Sequence, residues 1–211
     1  SPADPAVAVN PPVAPDAPPV VPVTPTLTGD STGAVSARFA NGDNSRFIFT
    51  SIGLQSNGKA STLVQDASGA LSTIGSIVLT GNPSVTREIS GDASFAQGRW
   101  FKGAFSSSTG ATTLTGNNAS AHYVVYNVLA ALPASGTFTC DAGTFTAPSY
   151  TGGGNVPSSA NFGTASGNAS IAFDGSGAKI ALNIDASAGG STGKVTASTS
   201  IASPASSSIT R

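Results

Sequence analysis

Charge is what this chain has least of. Nine lysines and arginines and ten acids are spread over 211 residues, for a net charge of −1. Nine scattered cations cannot build the basic field that tracks phosphates, so nucleic acid is excluded as a partner. A single cysteine excludes a disulfide scaffold, and one cysteine with one histidine is too few for a Cys/His metal site. No apolar run nears the ~20 residues of a membrane-spanning helix. Methionine is absent and tryptophan occurs once. Hydrophobic residues still make up 39% of the chain, enough to build a core.

Proline divides the sequence. Nine of the fourteen prolines lie in the first 25 residues: Pro2, Pro5, Pro11, Pro12, Pro15, Pro18, Pro19, Pro22 and Pro25. Each fixes φ and lacks an N–H, so neither a helix nor a central strand persists there. Residues 1–29 read as a disordered, extended tether, at ~3 Å per residue where stiff. No cation flanks a P-x-x-P core, so this is a spacer rather than an SH3-type ligand. Residues 198–211 are rich in Ser, Ala and Thr and read as a flexible end, and residues 201–210 together with the N-terminal tail suit O-glycosylation. One folded domain over 30–197 is left, long enough to bury a core.

Within that span the hydrophobic period is two. Residues 34–39 and 46–49 alternate around Asn41-Gly42-Asp43-Asn44 and read as a hairpin. Further strands are expected at 62–65, 76–80, 85–90, 99–105, 121–127, 136–146, 169–174, 178–184 and 194–197. Turns are expected at Ser56-Asn57-Gly58, Gly81-Asn82-Pro83, Gly116-Asn117-Asn118, Gly152-Gly153-Gly154 and Asp174-Gly175-Ser176-Gly177, where Gly and Asn tolerate φ > 0. The sum is an all-β fold of about eight to ten short antiparallel strands, a barrel or a sandwich. Charged residues that would guard exposed edges are scarce, and closing the sheet removes its edges, so the barrel is preferred. Phe39, Phe47, Phe49, Phe138, Phe145 and Phe173 are expected to fill it.

Little in the sequence carries chemistry. His122 would have to be the base of any Ser-His-Asp set, but no G-x-S-x-G elbow accompanies it and Tyr123-Val124-Val125 place it on a strand. Cys140 alternates with Phe138 and reads as a small buried hydrophobe. Glu88 is the lone glutamate, and the aspartates mostly sit beside turn residues, which leaves paired acids without a sequence signal. Asn41-Gly42-Asp43-Asn44 falls short of a calcium loop, and Gly152-Gly153-Gly154 precedes no Lys-Ser/Thr. No catalytic residue, metal or cofactor is expected. Trp100 stands out, flanked by Arg99, Phe101 and Lys102. Pointing inward it fills the core; pointing outward the four residues form an aromatic and cationic patch for a host protein or glycan.

Phe95-Ala96-Gln97-Gly98-Arg99-Trp100-Phe101-Lys102-Gly103 resembles the G-R-W-x-x-G segment of barrel domains in β-proteobacterial cell-surface lipoproteins. His122-Tyr123-Val124-Val125, Leu132-Pro133-Ala134-Ser135-Gly136-Thr137-Phe138-Thr139, Phe162-Gly163-Thr164 and Ala169-Ser170-Ile171-Ala172-Phe173 are similar to the h-Y-V-V…L-P-x-S-G-T-x-x-Y…G-T…D-F pattern of the same domains, which share the style of the transferrin-binding-protein barrel. Two positions depart from it: Cys140 stands where a tyrosine is usual, and Tyr126 where a glycine is. The resemblance implies a transferrin-binding-protein-like antiparallel barrel on an outer-membrane lipoprotein, and no activity. The expectation is therefore a monomeric, non-enzymatic surface protein, or a secreted one, whose membrane attachment is a lipid anchor upstream of Ser1. The alternative is a small-ligand carrier with a lipocalin-like cavity.

Overall fold

The computed structural model describes residues 35–51, 54–115, 120–129, 131, 133–140, 143–149, 162–174 and 177–202. The tether, the loop at Gly152-Gly153-Gly154, the expected turn at Gly116-Asn117-Asn118, Gly175 and Ser176 of another, and residues 203–211 lie outside them.

Twelve strands are described: β1 (Ser45–Ser51), β2 (Leu54–Lys59), β3 (Leu63–Gln65), β4 (Leu71–Ile74), β5 (Ile77–Gly91), β6 (Phe95–Ser107), β7 (Gly110–Thr115), β8 (Ala121–Asn127), β9 (Gly136–Cys140), β10 (Thr164–Phe173), β11 (Gly177–Ala188) and β12 (Ser191–Ala202). They form two antiparallel sheets. The first runs β2-β1-β8-β6-β5-β4-β3, with β7 also on β6; the second is the meander β12-β11-β10-β9.

The all-β antiparallel class holds, but the barrel does not. Among the described residues, β2 and β3 are the edges of the larger sheet, and β9 to β12 pair only among themselves. The edges are managed by other means than closure. β3 is three residues long and its register breaks between Val64 and Gln65. Beside it, the Arg38 guanidinium donates to the carbonyls of Gln65 and Asp66, at 2.9 and 3.0 Å. Backbone carbonyls that a joining strand could have used are thus already satisfied.

Strict alternation builds the larger sheet. Phe47 and Phe49 on β1, and Ala121, Tyr123 and Val125 on β8, point to one face and are buried. Trp100 and Phe105 on β6 join them, with Leu71 and Ile74 from β4. Phe49, Trp100 and Phe105 pack at centroid distances of 5.2 to 6.1 Å and form the aromatic centre of the core. The Trp100 indole N–H donates to the Leu71 carbonyl at 2.7 Å, and the Tyr123 hydroxyl accepts from the Leu71 N–H at 3.1 Å. Two aromatic tips thereby tie β4 to the middle of the sheet. Gly98 makes room for this, because a Cβ there would stand 2.5 Å from Tyr123 Oη.

Three local expectations are corrected. Residues 36–40 form no hairpin with β1. They run beside the end of β5, where Ser36 N–H donates to Gly91 O and Ala40 N–H to Ala93 O, and they deliver Phe39 to the core. Gly81-Asn82-Pro83 lies within β5, whose ladder to β6 breaks between Thr80 and Val85, so a bulge replaces the turn. Ser56-Asn57-Gly58 belongs to β2, opposite Phe49, Ile48 and Phe47. At the C-terminal end β12 continues to Ala202, past residue 197.

Candidate interaction surfaces

The four residues singled out around Trp100 do not share a surface. Trp100 is fully buried in the core, and Lys102 is exposed beside β7. Arg99 and Phe101 lie on the opposite face of the sheet from Trp100, in a cluster that charge patterning alone did not reveal.

A bulge creates that cluster. Between Arg87 and Ser90 the ladder shifts so that Glu88 and Ile89 together oppose Gly98. Glu88 adopts φ 50°, left-handed for a non-glycine residue. The turn sends Ile89 into the core and Glu88 toward Arg99. Arg99 Nε donates to Glu88 Oε2 at 2.6 Å and a second guanidinium nitrogen donates to Oε1, a two-pronged pair with both residues buried. The guanidinium also lies 4.2 Å from the Phe162 ring centroid, while Arg87 lies 3.9 Å over Phe101.

The same face grips residues 144–147. Gln97 donates to Thr144 O at 2.9 Å, His122 Nδ1 and Thr146 Oγ1 are 2.8 Å apart, and Ala147 N–H donates to Glu88 Oε2 at 3.1 Å. Burial pushes the Glu88 carboxyl up, but the Arg99 pair and the Ala147 N–H outweigh it and leave the acid below its ordinary range. Burial first, and then the Arg99 charge, hold the His122 imidazole down at about 4, against the opposing pull of Glu88. The imidazole is neutral and hydrogen-bonded to Thr146, and the carboxylate beside it is held by Arg99 and Ala147. The cluster is a clasp that holds the crossing segment. Beside it a shallow cleft of about 210 Å³ is lined by Ile48, Thr50, Gln97, His122, Val124 and Thr146.

The second sheet is different in kind. Its ladders carry no recorded register shift, so directly opposed residues share a face throughout. One face bears Ser166, Asn168, Asn183, Asp185, Lys194 and Thr196, with Asp185 and Lys194 paired at 3.3 Å. An open groove of about 400 Å³ runs along its end. The other face bears Phe138, Ile171, Ile180, Leu182, Ile184 and Val195, set among Ala165, Ala169, Ala186 and Ala197. Val195 is 54% exposed, Phe138 53% and Leu182 36%. Cys140 lies on this face too, opposite Ala169, and is exposed. Phe138 and Cys140 were expected inside a barrel; instead they sit on a sheet outside the aromatic core, and Phe173 is half-buried against Phe138.

Among the described residues no three His, Cys, Asp or Glu side chains gather as a metal site. Nor is any helix among the described residues long and apolar enough to cross a membrane. The segments from which a surface-lipoprotein barrel was expected divide between the sheets: β6 and β8 pair Arg99 with His122, whereas β9 and β10 belong to the meander. No family model, curated protein or solved structure matches this chain.

Proposed function

We propose that this chain is a non-enzymatic binding module displayed at the bacterial outer-membrane surface on its N-terminal tether. The observation that carries the reading is the apolar face of the four-stranded sheet, where Phe138, Leu182 and Val195 stand exposed on strands rich in Ser, Thr, Asn and Ala. An apolar area of this extent, bordered by polar residues, marks a place where another surface docks. The polar groups that could do chemistry are committed elsewhere: Glu88 to Arg99 and Ala147, and His122 to Thr146. The close packing of Phe49, Trp100 and Phe105 in the core favours a docking surface over an interior ligand site. Placement at the cell surface rests on the nine prolines of the first 25 residues and on the motif resemblance of residues 95–184.

Antibody labelling of intact cells that make the protein tests the reading. Signal before permeabilisation, lost on brief protease treatment of whole cells, is the result expected. Signal that arises only after permeabilisation overturns surface display.

A further inference from the structure

We infer that the apolar face of β9–β12 is covered by the same face of a second copy of this chain, in a two-fold, sheet-on-sheet dimer. The inference rests on reading that face as a docking surface and names its occupant.

Three observations select a second copy. The first is charge. Lys179, Asp185 and Lys194, the charged residues of these strands, all lie on the opposite face, so the apolar face meets its own image with no like-charge repulsion. The second is size. At ~3.3 Å per residue and ~4.8 Å between strands, the four strands offer on the order of 600 Å². Two such faces bury on the order of 1,200 Å², the lower bound of specific interfaces, where an exchanging dimer is expected rather than a permanent one. The third is the composition of the rest of the chain. Residues 203–211 contain one large apolar residue, Ile209, and residues 150–161 contain Tyr150 and Val156. Neither stretch carries enough apolar side chain to cover the face.

The geometry is that of a sandwich assembled between copies. Two antiparallel sheets pack ~10 Å apart with strands ~30° from parallel, and large residues of one enter the hollows left by small residues of the other. Here Ile171, Ile184 and Val195 stand beside Ala169, Gly167 and Ala197, an alternation of high and low points suited to interdigitation. A two-fold axis makes the contact isologous and closes it at two copies.

Cys140 supplies a built-in probe, being the single cysteine and lying on the face in question. The experiment uses the full chain in reductant. Its mass is measured by sedimentation equilibrium across micromolar concentrations, beside the rate at which a maleimide modifies Cys140. Wild type is expected to shift with concentration from the 20.5 kDa monomer toward twice that mass, with Cys140 modified at least fivefold more slowly at the top of the range. Phe138→Glu and Val195→Glu, each at an exposed position, are expected to stay monomeric with fast Cys140 modification and an unchanged β-sheet far-UV spectrum.

Other outcomes overturn the inference in distinguishable ways. A monomer whose Cys140 reacts fast at every concentration shows a free face awaiting a different partner. A monomer whose Cys140 is slow at every concentration shows a face covered by its own chain, which defeats the docking reading as well. A dimer unaffected by Phe138→Glu uses another contact, such as the β12 edge three strands away.

Discussion

Glu88 and Arg99 face each other across the β5–β6 ladder as a buried two-pronged ion pair, made possible by the left-handed turn at Glu88. The same carboxylate holds Ala147, so one acid secures both a bulge and the segment that crosses over it. Removing one partner leaves the other charge buried. Arg99→Met is expected to lower unfolding free energy by about 3–5 kcal/mol. Adding Glu88→Gln to it is expected to recover at least half, which urea titration of the three proteins measures.

The pH dependence follows from His122. Its imidazole is held down at about 4 when folded, whereas an unperturbed histidine titrates near 6.5. The unfolded chain therefore binds the proton more readily, and stability falls as pH drops through that interval. Between pH 6.5 and 5 the loss is roughly 2 kcal/mol. Glu88, whose carboxyl is lowered when folded, adds its own loss only below about pH 4.5. His122→Gln preserves a partner for Thr146 and is expected to flatten the pH 6.5–5 interval in urea midpoints while leaving the more acidic limb in place.

Trp100 is the only tryptophan and reports on the core. Its emission is expected to be blue-shifted and insensitive to iodide, since no edge of the ring reaches solvent. Trp100→Phe keeps most of the packing but leaves the Leu71 carbonyl without its indole donor, at a cost of about 1–3 kcal/mol. Trp100→Ala is expected to cost about 3–5 kcal/mol. Thermal melts of the two variants separate hydrogen bond from volume.

Gly98 and Ser90 give opposite signs. Gly98→Ala drives a methyl group into the Tyr123 ring and is expected to cost about 1–3 kcal/mol by overpacking. The Ser90 hydroxyl is buried with no hydrogen-bond partner among the described residues. Ser90→Ala removes that unsatisfied group and is expected to raise the melting temperature, by about 1 kcal/mol of stability.

The sequence made the strands legible wherever a strand buries one face. Phe47/Phe49 and Tyr123/Val125 alternate with less buried neighbours, and β1 and β8 follow from that. Turn residues misled where they sit inside strands. Gly58 is tolerated in β2 because Phe47 packs over it, 3.6 Å from where a Cβ would be, and Gly81 serves a bulge. What alternation could not show was which sheet a strand joins. Phe138 and Phe49 lie in equally β-like segments, and only the pairing of β9 with β10, rather than with β1 or β8, separates an exposed ring from a core one. The clasp was hidden for a related reason. Glu88 and His122 are far apart in the chain, and a one-residue shift in register brings them to the same face.

Amide hydrogen exchange, followed by mass spectrometry on the full chain, tests most directly the claim that a sealed core and a separate, partner-covered sheet coexist here. Slow exchange in β1, β6 and β8 is predicted for wild type and for Val195→Glu alike, with exchange in β9–β12 slow in concentrated wild type and at least tenfold faster in the variant. Exchange of all twelve strands as one unit, equally slow in both proteins, would contradict it.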